Sequence, residues 1–117
     1  MSLRQPSPAV YGRSAERAAA WWLRLHGYRV LDRNLRVAGR EVDVVARRGS
    51  LLVVCEVKAR RHDGRGRPEE AVDERRRRRL LRAGEVLLAR HRWACRVRFD
   101  VVAVEGLRIR HLPGAFD

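Results

Sequence analysis

Four charged side chains stand at alternating positions within two apolar stretches of the sequence. Glu41 and Asp43 alternate with valines, and Glu56 and Lys58 flank a single valine after a run of leucines and valines. Successive side chains of a strand point to opposite faces, so each pair shares one face. Carboxylates within apolar strands are costly to bury unless a cation compensates their charge. Because such oxygen ligands suit Mg²⁺ or Mn²⁺ rather than Zn²⁺, the pattern predicts a metal site.

A predicted hairpin over residues 41–59 brings these groups together. A turn centred directly after Arg48 sets Glu41 opposite Glu56. Asp43 is then a diagonal neighbour of Glu56, and side chains in that relation can reach a common ligand. We therefore expect Asp43 and Glu56 to hold one ion between them, with Glu41 on the same face. The alternative is a solvated ladder of glutamate and lysine on an exposed strand face.

Lys58 is the only lysine among the 27 basic residues of the chain; all the others are arginine. Arginine carries a planar fork that stays charged, whereas lysine carries a compact ammonium on a flexible stem. Beside a metal ion, such an ammonium could orient a water molecule or offset charge that develops in a transition state. The retention of lysine at this position indicates a catalytic role.

The elements that must position these residues fit one α/β domain. We predict a flexible tail over residues 1–11 and a single domain over residues 12–117. Apolar spacing predicts a helix from Gly12 to His26 that Gly27 ends, and a long helix from Pro68 to about Arg92. The predicted strands are 28–31, 35–37, 41–46, 51–59, 96–104 and 107–110. A helix between strands in a short chain favours a mixed central sheet flanked by helices.

The charge of the chain indicates a polyanionic partner. The formal net charge is +13 and the isoelectric point is about 11.6, which favours nucleic acid. Arginines concentrate in the glycine-rich loop 60–68 and in the run Arg75–Arg79, for which a solvated helix face is the alternative. The arginines that we expect to contact phosphates are Arg60, Arg61, Arg65, Arg67, Arg76 and Arg79.

Other features of the composition bear on location and partners. The first residues lack the apolar run of a signal peptide, and no long apolar stretch occurs, so we expect a cytoplasmic protein without a membrane partner. Cys55 and Cys95 have no spacing typical of a zinc site and are predicted to be buried thiols. A homodimer stays open as an alternative to a monomer.

The segment Gly39–Asp43, followed by Glu56–Lys58, resembles the D-x(n)-E-x-K signature of the PD-(D/E)xK, or restriction-endonuclease-like, nuclease superfamily. More closely, the chain resembles the YraN family, small bacterial proteins distantly similar to archaeal Holliday junction resolvases. The further segments that carry this resemblance are Gly12–Leu23 with Glu16, His26–Tyr28 with Asn34, Pro68–Val72, Arg79 and Arg98–Val102.

The resemblance implies a mixed central sheet with helices on both sides and a metal-dependent phosphodiesterase site. Asp43, Glu56 and Lys58 would be its catalytic residues, Glu16 would join them from the first helix, and Glu41 matches a family glutamate. The implied activity is that of a Mg²⁺- or Mn²⁺-dependent endonuclease on DNA, with branched or damaged DNA among its substrates. The sequence departs from the family at Arg40, where glycine is common, and at Ala59, where threonine is common after the lysine.

Two other classes of function fit parts of the sequence. The charge alone would support a nucleic-acid-binding module with a vestigial acidic pocket. An exposed sheet edge would support a small adaptor that binds another protein. Divalent-ion binding that depends on Asp43 would favour the enzyme, whereas salt-sensitive DNA binding without metal dependence would favour the module.

Overall fold

Two helices and five strands make up the part of the chain that the computed structural model describes, residues 8–60 and 74–115, with side chains over 13–59 and 74–115. In chain order they are α1 (Pro8–Leu25), β1 (Arg29–Val37), β2 (Arg40–Arg48), β3 (Leu51–Arg60), α2 (Glu74–Arg90), β4 (Arg96–Glu105) and β5 (Arg108–Leu112). This order confirms the predicted α/β class.

The strands form a single mixed sheet in the order β1-β2-β3-β4-β5. Strands β3 and β4 are parallel, while the other neighbouring pairs are antiparallel. A parallel pair needs a long crossover connection, and the chain between β3 and β4 contains α2. This architecture is compatible with a restriction-endonuclease-like fold.

The two helices cover opposite faces of the sheet and produce two apolar cores. One core packs Ala19 and Leu23 of α1 against the sheet, and the other packs Leu80 and Leu87 of α2. Residues 51–55 are buried throughout, because β3 lies at the centre of the sheet with a helix on each side. A strand covered on both faces is expected to be apolar at successive positions, as this one is.

Helix α1 ends where the sequence predicts but begins earlier. Gly27 adopts a φ of 88°, and the backbone N–H of Tyr28 donates to the carbonyl of Leu23 at 2.9 Å. These features are typical of the capping geometry in which a glycine ends a helix. The helix begins at Pro8 instead of Gly12, because proline is well accommodated in the first helical turn although it adds no apolar periodicity. Residues 8–11 of the predicted tail are therefore helical.

Strand β1 joins two segments that the sequence pattern separates. Its register shifts between Val30 and Asp32, and Asn34 adopts a φ of 55° in its middle. Asparagine tolerates this left-handed conformation better than most residues. The strand therefore continues through an irregular region. The predicted break at residues 32–34 is wrong.

The β2–β3 hairpin has a different register from the predicted one. The turn consists of Gly49 and Ser50, Gly49 has a φ of 60°, and the closing pair joins Arg48 to Leu51. The predicted turn centre after Arg48 is therefore wrong by one residue. The predicted pair of Glu41 with Glu56 does not occur in the ladder. A left-handed glycine at the first turn position explains the displacement.

The remaining expectations have mixed outcomes. Cys55 is buried as predicted, but Cys95 is exposed in the turn before β4, where its N–H donates to the carbonyl of Ser50. The predicted helix start after Pro68 lies outside the described residues. Within the described ranges, no helix is long and apolar enough to cross a lipid bilayer. The cytoplasmic location stays a prediction.

Candidate metal centre

Strands β2 and β3 pair at the hairpin end and separate at the other end. The last pair of their ladder, at the end away from the turn, joins Val44 to Cys55, although both strands continue beyond it. The free part of β2 pairs only with β1, and the free part of β3 pairs with β4. The Val57 N–H donates to Asp43 Oδ2 at 2.8 Å, so a side chain closes the end of the ladder. The fork leaves a gap between the two central strands.

A local irregularity turns the acidic residues of β2 into this gap. Val42 and Val45 both pack in the core beneath α2, whereas Val44 packs in the core beneath α1. Strict alternation would put Val42 and Val44 on one face, so it fails near Asp43. The flanking pairs of the β1–β2 ladder set Asn34 opposite Asp43, and no pair forms there. The left-handed Asn34 therefore lies at the same level as the break in alternation.

Three carboxylates meet at the fork. Glu16 from α1, together with Glu41 and Asp43 from β2, brings one oxygen from each side chain within 4.8 Å of the others. Ligand oxygens lie about 2.0–2.6 Å from Mg²⁺ or Ca²⁺, so oxygens at this separation can share one ion. Glu16 and Asp43 are half-buried, whereas Glu41 is exposed. The arrangement suits a divalent cation that keeps part of its water shell.

The surroundings of Asp43 oppose its negative charge. Burial is the largest cause, and the charge of Glu56 adds to it, so that the pKa of Asp43 rises to about 7. The N–H of Val57 and the ammonium of Lys58 lower the pKa, but Glu16 raises it further. Like charges nearby make ionisation of a carboxyl group less favourable, and a bound cation would offset that effect. The chemistry of this donor set therefore fits a divalent ion.

Glu56 is buried and is held by three basic groups. Its carboxylate lies 3.1 Å from Lys58 Nζ, 3.4 Å from an Arg40 guanidinium nitrogen and 3.5 Å from an Arg76 guanidinium nitrogen. Glu56 is outside the group of three converging carboxylates, in which Glu16 takes the place that the sequence gave to Glu56. That Asp43 and Glu56 share one ion stays a prediction.

A cavity of about 350 Å³ contains all of these groups. Side chains from both helices and from both diverging strands line it, so the predicted groups meet through the gap in the sheet and not on one hairpin face. The lining residues are Ala15, Glu16, Arg40, Glu41, Asp43, Glu56, Val57, Lys58, Ala59 and Arg76. The structure thus brings the five predicted acidic and lysine residues together.

The predicted phosphate-binding arginines have different positions. Arg76 lines the cavity, and Arg79 is exposed on α2. Arg61, Arg65 and Arg67 lie outside the described residues, as does the side chain of Arg60. Sequence reasoning assigned no role to Arg40, which the structure puts beside Glu56. The signal was its position directly before Glu41, where the resembled family commonly has glycine.

A second buried charge cluster lies outside the lining of the cavity and holds Gly114, after β5. Asp100 is fully buried and accepts hydrogen bonds from Arg98, from the His111 ring and from the Gly114 N–H, at 2.7–3.0 Å. Burial opposes ionisation of Asp100, but these hydrogen bonds together hold its pKa below the usual range. Arg98 also donates to the Tyr28 hydroxyl at 2.7 Å. The cluster ties β4 and β5 to the segment before β1.

Fold and cavity together define a small mixed α/β protein whose acidic and basic groups meet where two central strands diverge. Residues 15–104 match the sequence model of the uncharacterised protein family UPF0102, and the chain belongs to this family. The predicted relationship to YraN-like proteins is thereby confirmed at the level of the family.

Curated relatives cover nearly the whole chain. A protein of Syntrophotalea carbinolica is 43% identical over 111 residues, which span 91% of this chain and 90% of the relative. A protein of Sphingopyxis alaskensis is 47% identical over 103 residues, with 86% and 87% covered. One of Anaeromyxobacter dehalogenans is 43% identical over 117 residues, with 91% and 83% covered. All three have the name UPF0102 protein, which states no activity.

Proposed function

We propose that this protein is a Mg²⁺- or Mn²⁺-dependent endonuclease of the PD-(D/E)xK superfamily that hydrolyses phosphodiester bonds in DNA, including branched or damaged DNA. The observation that carries the proposal is the convergence of Glu16, Glu41 and Asp43 within 4.8 Å, in a cavity that also contains Lys58. A fold alone would not support an activity, because one fold hosts many functions. The proposal therefore depends on the donor set and its setting.

The carboxylates of Glu16, Glu41 and Asp43 would hold the ion, and Glu56 lies beside them. When bound, a divalent ion supplies positive charge to a phosphoryl oxygen and lowers the pKa of a water molecule. Asp43 is oriented by the N–H of Val57, and Glu16 is fixed to α1 next to the buried Ala15. The chain thus positions its ligands before an ion arrives, which limits the reorganisation that binding requires.

Lys58 supplies a cation beside the expected reaction centre. Its Nζ lies 3.1 Å from Glu56 Oε1, and only 13% of the side chain is exposed. The contact with Glu56 orients the ammonium on its flexible stem. In this position it can stabilise negative charge that develops on the phosphoryl oxygens during hydrolysis. Glu56 then acts by positioning Lys58, in addition to any contact with the ion.

The charge of the molecule supports DNA as the substrate. A net charge of +13 would attract phosphate backbones over long distances, and Arg79 extends the basic surface along α2. The cavity by contrast contains four carboxylates. A basic exterior around an acidic cavity fits a protein that binds a polyanion and concentrates metal ions at the bond to be hydrolysed.

A cleavage assay tests the proposal. End-labelled linear duplex, nicked duplex and four-way junction DNA are incubated with the wild type in Mg²⁺, in Mn²⁺ and in EDTA. We expect cleavage of at least one substrate in the presence of metal only. Asp43→Asn, purified in parallel, should lose it, whereas Glu85→Gln on the exposed face of α2 should retain it. Wild type that cuts none of the substrates, or Asp43→Asn that cuts equally, would overturn the proposal.

The second candidate function is a nucleic-acid-binding module without turnover. The observation that favours it is the buried Glu56, whose oxygens are occupied by Lys58, Arg40 and Arg76. In that case DNA affinity should fall with salt, be indifferent to divalent ions and persist in Asp43→Asn. The assay described above, extended by binding curves in EDTA, separates the two candidates.

A further inference from the structure

The basic half of the cavity is more than a counterion for Glu56. Lys58, Arg40 and Arg76 all lie within 3.5 Å of its carboxylate oxygens, so three positive groups surround one negative group. Charge-assisted hydrogen bonds are usually about 2.7–2.9 Å long. The two arginine contacts, at 3.4 and 3.5 Å, are longer. Glu56 therefore gathers both guanidinium groups, and its hydrogen bond with Arg40 is a long one.

Arg40 has an unused donor within this half of the cavity. Its side chain is 15% exposed, and its Nε atom is buried without a hydrogen-bond acceptor among the described residues. Buried donors in native proteins are normally paired, and an unpaired one requires an explanation. A guanidinium fork is suited to two oxygens of one phosphate group. An acceptor oxygen of an anionic ligand would satisfy this unpaired donor.

The charges of the whole cavity support the same interpretation. Its lining includes four carboxylates and three basic side chains, which gives a formal charge of −1 when all are ionised. One divalent ion changes this charge to +1, which one phosphodiester anion neutralises. Anion binding on the basic side should therefore be stronger when the acidic side holds a divalent ion.

We propose that Arg40 and Arg76, gathered by Glu56, form a subsite for a backbone phosphodiester group of the nucleic acid, next to the carboxylate cluster. Identification of the ligand as a nucleic-acid phosphodiester rests on the proposed function. Arg40 is a positioning residue in this account, because it fixes the strand relative to Lys58 and the carboxylates. The two arginines of the subsite come from β2 and α2, so the substrate would contact both of these elements beside the fork.

The test measures anion binding without any cleavage step. The dinucleotide thymidylyl-thymidine, which contains one phosphodiester, is titrated into ¹⁵N-labelled protein in CaCl₂ and in EDTA, and the arginine Nε–H resonances are followed. We expect the Arg40 resonance to shift, with tighter binding in CaCl₂. Arg40→Gln and Arg76→Gln should each weaken binding by about tenfold, the loss expected for one bidentate charged contact.

Two control variants keep the result interpretable. Arg108→Gln removes an equal charge from an exposed position on β5 and should bind as the wild type does. Arg40→Lys keeps the charge but not the fork, so we expect intermediate affinity, and it is available if Arg40→Gln does not fold. Binding by Arg40→Gln or Arg40→Lys that equals the wild type, or no binding by the wild type, would overturn the subsite.

Failure of the subsite and failure of the proposed activity give different results. A protein that binds the dinucleotide through Arg40 but cuts no DNA supports the subsite and contradicts the nuclease. A protein that cuts DNA while Arg40→Gln binds the dinucleotide normally supports the nuclease and contradicts the subsite.

Discussion

The folded chain disfavours the negative charge of the Asp43 carboxylate. Its pKa of about 7 compares with an ordinary value of 3.8, and burial and Glu56 are the main causes. Below about pH 4 the residue is protonated in the folded and unfolded chains alike, so it carries no electrostatic penalty. Between that pH and about 7 the folded chain binds more protons, so stability falls as pH rises. The full penalty remains above pH 7.

Asp43→Asn should therefore stabilise the metal-free protein at high pH. The amide oxygen can still accept the hydrogen bond from Val57, while the charge is removed. We expect a gain of about 2 kcal/mol in the free energy of unfolding at pH 8, and little change at pH 4. Urea denaturation in EDTA measures both values, with Glu85→Gln as the control. An equal gain at the two pH values would contradict the electrostatic explanation.

Lys58→Arg keeps a positive charge but changes its shape. We expect DNA affinity and folding to be retained. Cleavage should lose a few kcal/mol of transition-state stabilisation, so the metal-dependent rate should fall about 100-fold or more. The larger fork would pair with Glu56 and Asp43 instead of presenting a compact ammonium. Single-turnover rates and dissociation constants are measured together for the wild type, Lys58→Arg and Lys58→Ala. If the arginine variant cuts as fast as the wild type, the lone lysine is an accident of composition.

At the scale of elements, the site depends on irregular strands. Strand β2 pairs with β3 only from Val44 onward, and β1 carries the left-handed Asn34 at the level of Asp43. A regular sheet would continue the ladder and close the fork. Functional sites often occupy such deviations, because they re-aim side chains that a regular strand would fix.

Replacement of Asn34 tests whether this irregularity supports the site. Asn34→Val puts a β-branched residue in a left-handed conformation and should cost about 1–2 kcal/mol of stability. It should also weaken Mn²⁺ binding, because β2 would relax toward regular pairing. Asn34→Gly should preserve both properties. Arg33→Val, one residue earlier on the exposed strand, is the matched control, and chemical denaturation with Mn²⁺ titration provides the measurements. Unchanged Mn²⁺ binding in Asn34→Val would show that the site does not depend on the left-handed conformation of Asn34.

Periodicity predicted the elements well and their junctions poorly. The apolar runs of β2 and β3 and the apolar stripe of α1 depend on local spacing, which a sequence displays directly. The strict alternation predicted around Asp43 fails, because Val42 and Val44 pack in different cores. The position of Gly49 as the first turn residue depends on backbone conformation. The position of Glu16 in the cavity depends on how α1 packs against the sheet. Spacing alone expresses neither. The acidic residues and the lysine that line the cavity were therefore singled out from the sequence, and the resemblance, not the pattern, added Glu16 to them.

At the scale of the whole molecule, the net charge of the chain and the charge of the cavity have opposite signs. The chain has a net charge of +13, yet the cavity has a formal charge of −1. In the proposed function, long-range attraction to a polyanion would be a property of the surface, whereas hydrolysis would depend on a site of opposite charge. Variants of the surface arginines should change affinity, whereas variants of the cavity carboxylates and of Lys58 should change the rate.

DNA affinity should accordingly fall steeply with salt, because each phosphate contact releases counterions. For about 4–6 phosphate contacts, the logarithm of the association constant should decline with a slope of about −4 to −5 against the logarithm of salt concentration. Fluorescence anisotropy in EDTA, at KCl concentrations from about 50 to about 300 mM, gives the slope. Arg79→Gln should reduce its magnitude by about one. A flat dependence would exclude an electrostatic polyanion partner.

Anomalous diffraction from crystals grown with MnCl₂, collected near the manganese absorption edge, would show directly whether the three carboxylates hold a metal ion. We predict an anomalous peak between the carboxylates of Glu16, Glu41 and Asp43, with metal–oxygen distances of about 2.2 Å, and its loss in crystals of Asp43→Asn. A fully occupied ion elsewhere, or no peak at the fork under saturating Mn²⁺, would contradict the account.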